Sequence, residues 1–95
     1  MPPVLIVPPN ELDPVSAPRF AAMLESVEPT DHVEVDFESV RFCDSSGLRQ
    51  LLIAHRRQQA GGGSLRVVNV PSNVQRVFDV SGVSEVMAHG TDDQG

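Results

Sequence analysis

Val4, Leu5, Ile6 and Val7 form an apolar run bounded by the proline pairs Pro2-Pro3 and Pro8-Pro9. Proline cannot donate a ladder hydrogen bond, so the run predicts a short strand that stops at Pro8 and lies near a sheet edge. Beyond Asp13-Pro14, a helix start with proline early in the first turn, the residues Ala17, Phe20, Ala21, Leu24 and Val27 fall on one helical face. They predict a first helix ending near Pro29. Val33, Val35 and Phe37 alternate with Glu34 and Asp36, the period of a strand with one buried face. Val40 and Phe42 lead towards a second helix. There Leu48, Leu51, Leu52 and His55 recur at i, i+3, i+4 and i+7, while Arg49, Gln50, Arg56 and Arg57 supply a polar side. Gly61-Gly62-Gly63 stops that helix and reads as a flexible turn. Residues 65–70 predict another strand. Pro71-Ser72-Asn73 gives a turn and N-cap, and Val74, Val77 and Phe78 mark a third helix closed by Gly82. A brief strand is expected over 86–88, followed by a flexible polar tail over 90–95.

Strands alternating with helices of about ten to fifteen residues predict an α/β architecture. About four mainly parallel strands would be joined by right-handed helical crossovers. Periodicity leaves the strand order open. No internal repeat or second domain is visible, so residues 1–95 are expected to form a single domain, ordered over about 4–89.

Composition narrows the function classes. The 95 residues are 40% hydrophobic with four Phe and neither Trp nor Tyr, so one modest core must be built mainly from aliphatic side chains. The formal net charge is −6 and all seven basic residues are Arg. An acidic chain argues against a nucleic-acid partner. The lack of Lys removes the P-loop lysine and Schiff-base chemistry. Cys43 is the single cysteine, which rules out an intramolecular disulfide and makes a reducing cytoplasm the default. The first nine residues have neither the basic flank nor the long apolar stretch of a signal peptide or membrane span. The expectation is a complete cytoplasmic chain without membrane insertion.

Candidate chemistry concentrates in Asp44-Ser45-Ser46-Gly47, where a strand and loop give way to the second helix. Short polar side chains there can accept hydrogen bonds from unpaired first-turn N–H groups, so local chemistry alone reads the segment as an N-cap. A hydrolase built on Ser45 or Ser46 with His55 fails on geometry: nine helical residues from Ser46 span about 13 Å. Cys43, His32, His55 and His89 lack any paired metal-ligand spacing. Asp44 beside Cys43 raises the thiol pKa and predicts an inert, half-buried cysteine. The triple glycine lacks the Lys-Ser/Thr of a phosphate loop. Leu48, Leu51 and Leu52 are expected in the core, and Arg49 and Ile53 are free to meet a partner. The sequence therefore offers no catalytic residue, metal site or cofactor site.

Residues 33–83 resemble the STAS domain of bacterial anti-sigma factor antagonists. The carrying motif is Phe42-Cys43-Asp44-Ser45-Ser46-Gly47-Leu48 opening an amphipathic helix. A second block, 71–83, runs Pro71-Ser72-Asn73-Val74-Gln75-Arg76-Val77-Phe78-Asp79-Val80-Ser81-Gly82-Val83 after a glycine-rich turn and a strand. Glu11-Leu12-Asp13, followed by Ala17 and Leu24, is similar to the family's Gly-Glu-Leu-Asp helix start, with Asn10 in place of the glycine.

The resemblance implies a STAS-like fold and a partner-switching role in transcription regulation, without enzymatic activity. It maps the phosphate acceptor to Ser45, with Ser46 as the alternative, and places Asp13, Asp44, Ser45, Ser46, Gly47 and Arg49 at the partner surface. The implied partner is an anti-sigma factor that is also a serine kinase. The unphosphorylated domain would bind it and release a sigma factor, phosphorylation would end binding, and a serine phosphatase would restore it. Phosphate is tolerated at a helix N-terminus, whereas its charge beside Asp44 and Asp13 would repel a partner fitted to a neutral hydroxyl. The alternative within the family is a constitutive subunit of a phospholipid-transport ATPase complex or of a stress-signalling scaffold. The family's additional N-terminal strand is expected to be missing, which would leave the edge beside 4–7 open to self-association.

Overall fold

The alternation of Val33 and Val35 with polar neighbours sets the central strand of a parallel sheet, and its two flanking strands follow from the other β-branched runs. The computed structural model describes residues 2–84 and 87. Its elements are β1 (Val4–Ile6), β2 (Glu11–Leu12), α1 (Ala17–Glu25), β3 (His32–Asp36), β4 (Phe42–Cys43), α2 (Ser45–Ala60), β5 (Ser64–Val68) and α3 (Ser72–Ser81). One sheet has the order β1-β3-β5, all parallel, with Val4 opposite Val33 and Val33 opposite Leu65. A second, two-stranded parallel sheet pairs β2 with β4. The expected α/β architecture holds, with five described strands instead of about four.

Val33, Val35 and Leu65 point into a core shared with Phe20 and Leu24 of α1, Leu48 and Leu51 of α2, and Val74 and Phe78 of α3. Phe37, just beyond β3, meets Phe78 edge-to-face at 5.6 Å and 76°, so the end of the central strand is tied to the last helix. Such a pair adds about 1 kcal/mol beyond area burial. The opposite face of the sheet carries a row of polar contacts alongside Leu5 and Val68. His32 Nδ1 lies 2.8 Å from Ser64 Oγ, Arg66 pairs with Glu34, and Asn69 Nδ2 donates to Asp36 Oδ1 at 3.1 Å. Parallel sheets usually bury both faces and read as continuous apolar runs. Here one face meets water, which is why β3 carries the alternating pattern of a half-buried strand.

Several boundaries differ from the sequence expectation. The helix expected from Asp13-Pro14 to near Pro29 is preceded by one hydrogen-bonded turn, in which Asp13 O accepts from Ala17 N at 2.9 Å, and α1 proper covers Ala17–Glu25 with Pro18 in its first turn. The strand expected over 65–70 ends at Val68, because Asn69 adopts a left-handed φ of 56° that no continuing strand allows. The pairs 11–12 and 42–43 form strands with no counterpart in the sequence pattern, since two residues are too few to display a period of two. Gly61-Gly62-Gly63 is not a loose turn. An added Cβ at Gly63 would stand 2.0 Å from Asp31 O, so this glycine exists for close backbone approach. Of the strand expected over 86–88, residues 86 and 88 lie outside the described residues and Met87 is helical. The tail over 90–95 lies outside them as well.

Candidate functional site

The parallel pairing of β2 with β4 places Leu12 opposite Cys43, so the chain leaves both strands at the same end. Asp13 and Asp44 follow side by side, and each shapes the start of a helix. Asp44 N donates to Leu12 O at 3.0 Å, which fixes its extended backbone. Its Oδ1 then accepts from Ser46 N at 2.8 Å, and its carbonyl accepts the first intrahelical bond from Leu48 N at 3.1 Å. The N-cap read from sequence is therefore made by Asp44, with Ser45 as the first helical residue.

Gly47 is buried, and an added Cβ would stand 2.7 Å from Leu12 Cβ and 3.1 Å from Cys43 Sγ. It faces the strands and lets the first turn of α2 lie against them. Leu48 is buried beside it. The cap uses the Asp44 carboxylate and the Ser46 N–H, the close approach uses Gly47, and the core uses Leu48. Ser45 is left exposed at the head of the helix.

Asp13 serves the neighbouring turn. Its Oδ1 accepts from Val15 N at 3.0 Å and Ser16 N at 2.9 Å, while Ser16 Oγ accepts from Asp13 N at 3.1 Å and donates to Glu11 O at 2.6 Å. This is the reciprocal arrangement of a capping box. The Ser16 N–H, foremost among these donors, holds the Asp13 carboxyl below its ordinary pKa of 3.8.

A groove of about 590 Å³ runs from Ser45 along α2, with Arg49, Ile53 and Arg56 on one wall and Ser81 and Val83 on the other. The first three recur at i, i+4 and i+7 from Arg49, which aligns them on one face. Arg49 and Arg56 are exposed, and Ile53 keeps 47% of its surface open. The structure brings Ser45, Ser46 and Arg49 of the expected set onto this groove. In the sequence pattern Arg56 belongs to the polar side of α2, and its spacing from Arg49 is the signal that places both on one face. The contribution of Ser81 and Val83 depends on how α3 returns to α2 and left no trace in the sequence.

Residues 10–88 match the family model described as Mlab, STAS domain. The chain belongs to the STAS domain family. The match starts at Asn10, where the Glu11-Leu12-Asp13 motif begins, and takes in β2, Asp13, α1 and the whole of 33–83. A curated relative, an anti-sigma F factor antagonist of Paenibacillus polymyxa, is 32% identical over 57 residues. That alignment covers 60% of this chain and 49% of the relative, so the chain spans about half the relative's length.

The remaining reactive groups of this STAS domain lie away from the groove. Cys43 is buried, more fully than the half-burial expected, and its thiol is pushed up to about 12, first by burial and then by the Asp44 charge. His55 is 3% exposed with no hydrogen-bond partner for Nε2 among the described residues, and burial, helped by Arg56, holds its pKa below 6.5. It stands ten residues from Ser45 on the same helix, about 15 Å along the axis. His32 is on the polar sheet face and His89 lies outside the described residues. Among the described residues no group of three or more His, Cys, Asp or Glu side chains converges as metal ligands, and no helix is long and apolar enough to cross a membrane.

Proposed function

We propose that this STAS domain is an anti-sigma factor antagonist whose binding is switched by phosphorylation of Ser45. The observation that carries the reading is the exposed Ser45 hydroxyl at the capped head of α2, in a motif whose other residues are committed to cap and core. Likeness to the Paenibacillus antagonist supports the same role. The unphosphorylated domain binds an anti-sigma factor with serine-kinase activity and so releases a sigma factor in the bacterial cytoplasm. The kinase transfers the γ-phosphoryl group of ATP to Ser45 Oγ. One O–P bond forms, the bond to ADP breaks, and the hydroxyl proton leaves to a base on the kinase. A serine phosphatase hydrolyses the ester and restores binding. Throughout, the domain is ligand and substrate, not catalyst.

Phosphate adds a charge of about −1.5 to −2 at pH 7, and the free N–H groups of the first turn favour an anion there. The fold is therefore kept while the surface beside Asp44 and Asp13 changes. With the cognate kinase and ATP the chain gains one phosphate, and Ser45→Ala stays unlabelled yet still binds. Equal labelling of that variant would transfer the role to Ser46. Recovery of a membrane transport ATPase in place of an anti-sigma kinase in a pull-down would replace this reading with the constitutive-subunit one.

A further inference from the structure

The chain carries a net charge of −6, yet α2 has three Arg and no Asp or Glu. Its positive charge is divided between two flanks. Arg57 lies on the side that faces Glu25 of α1, whereas Arg49 and Arg56 line the groove that begins at Ser45. Among the described residues the lining of that groove includes no carboxylate, and the one ion pair is Arg66 with Glu34 on the distant sheet face. Two exposed guanidinium groups thus flank an exposed Ile53 on an otherwise acidic protein.

From this charge pattern we infer that the groove takes an acidic segment of the partner protein, and that phosphate on Ser45 acts by claiming Arg49. Carboxylates of the segment pair with Arg49 and Arg56, and an apolar side chain between them covers Ile53. Arg49 and Arg56 are seven residues apart, about 10 Å along the helix, which suits acidic side chains placed two turns apart on a partner helix. Ser45 and Arg49 are related by i, i+4, so their Cβ atoms lie about 5–6 Å apart. A phosphate on Ser45 is within reach of a bidentate Arg49 pair, whereas Arg56, about 16 Å from Ser45 along the axis, is not. Phosphorylation then changes the groove from +2 towards neutral and withdraws the guanidinium nearest the partner. The inference deepens the switch proposed above and rests on it for the identity of the modified serine.

Two measurements test it without the natural partner. The probe is a helical peptide of Glu and Leu, with a Lys-for-Glu version as control, titrated into the 15N-labelled chain. The acidic peptide should shift the amides of Arg49, Ile53 and Arg56, and the Arg49→Gln, Arg56→Gln double variant should bind about tenfold more weakly, the scale of two exposed ion pairs. Equal binding of the Lys peptide, or shifts elsewhere, overturns the groove assignment. Second, a chain carrying phosphoserine at 45, made by ligation, is titrated by 31P NMR. Its second phosphate pKa should lie below the usual value of about 6 and rise in Arg49→Gln. An identical titration in both chains overturns the Arg49 pairing. The outcomes separate from those of the proposed function. Failure of the cognate kinase to label Ser45 defeats the switch and leaves the peptide result standing. A switch that works unchanged in Arg49→Gln defeats this inference alone.

Discussion

At its head α2 is held by the Asp44 carboxylate on Ser46 N and by Gly47 pressed on Leu12 and Cys43. At its tail it is held by Gln58, whose Nε2 donates to the carbonyls of Glu28 and Asp31 at 2.8 and 3.0 Å, and by Gly61 and Gly63 packed on Pro29 and Asp31. Both ends use a polar side chain together with close-packed glycine. They differ in what remains exposed. The tail spends a buried polar side chain, Gln58 at 1% exposure, on backbone carbonyls of the turn before β3, and becomes a fixed anchor. The head caps itself with one side chain and leaves the next hydroxyl in water. One helix can therefore keep its position while its first turn is modified.

The sharpest way to break this contrast is Gly63→Ala. The new Cβ would meet backbone oxygens at 2.0 and 2.6 Å, which cannot rotate away, so stability should fall by about 3 kcal/mol. Chain without Trp or Tyr is best followed by far-UV circular dichroism in urea; an unchanged midpoint would show that the tail is not an anchor. Gln58→Ala follows at about 2 kcal/mol, the loss of two hydrogen bonds from a buried side chain, while the Glu28 and Asp31 carbonyls keep their backbone donors Asp31 N and Ser64 N. At the head, Asp44→Ala should cost about 1 kcal/mol, the loss of one N-cap, measured by the same melts.

The smallest effect expected is a pH slope. His55 titrates below 6.5 in the folded domain, so its stabilising contribution is present above the unfolded value of 6.5 and is lost as pH falls through the folded one. Melting temperatures should decline as pH falls below 6.5, ahead of any contribution from the Asp13 carboxyl, which is held below 3.8. His55→Gln should flatten that decline. A slope retained in the variant would assign it to another group.

Much of the fold was legible because local pattern and tertiary burial agree. Val33 and Val35 alternate because only one face of β3 is covered, and Leu48 and Leu51 recur at helical spacing because α2 lies on the sheet. The segment Asp44-Ser45-Ser46-Gly47 could be placed at a helix start from capping chemistry alone. Other features left no local signal. Strands of two residues have no period, and the positive φ of Asn69 accompanies a hydrogen bond to Asp36, 33 residues away on the neighbouring strand. Gln58 looked like one more polar residue near a helix end, since its acceptors are carbonyls at least 27 residues away.

The sequence by itself determined the order of the longer elements β1, α1, β3, α2, β5 and α3, the acidic balance with its basic second helix, and the motif that places a serine at the head of that helix. These follow from side-chain chemistry and short-range spacing, which are properties of neighbours along the chain. Only the tertiary structure decided the strand order β1-β3-β5, the inward-facing Gly47, and the groove that Ser81 and Val83 complete beside Arg49 and Arg56. Each requires segments far apart in sequence to pack, and packing is set by the whole core rather than by any one stretch of residues.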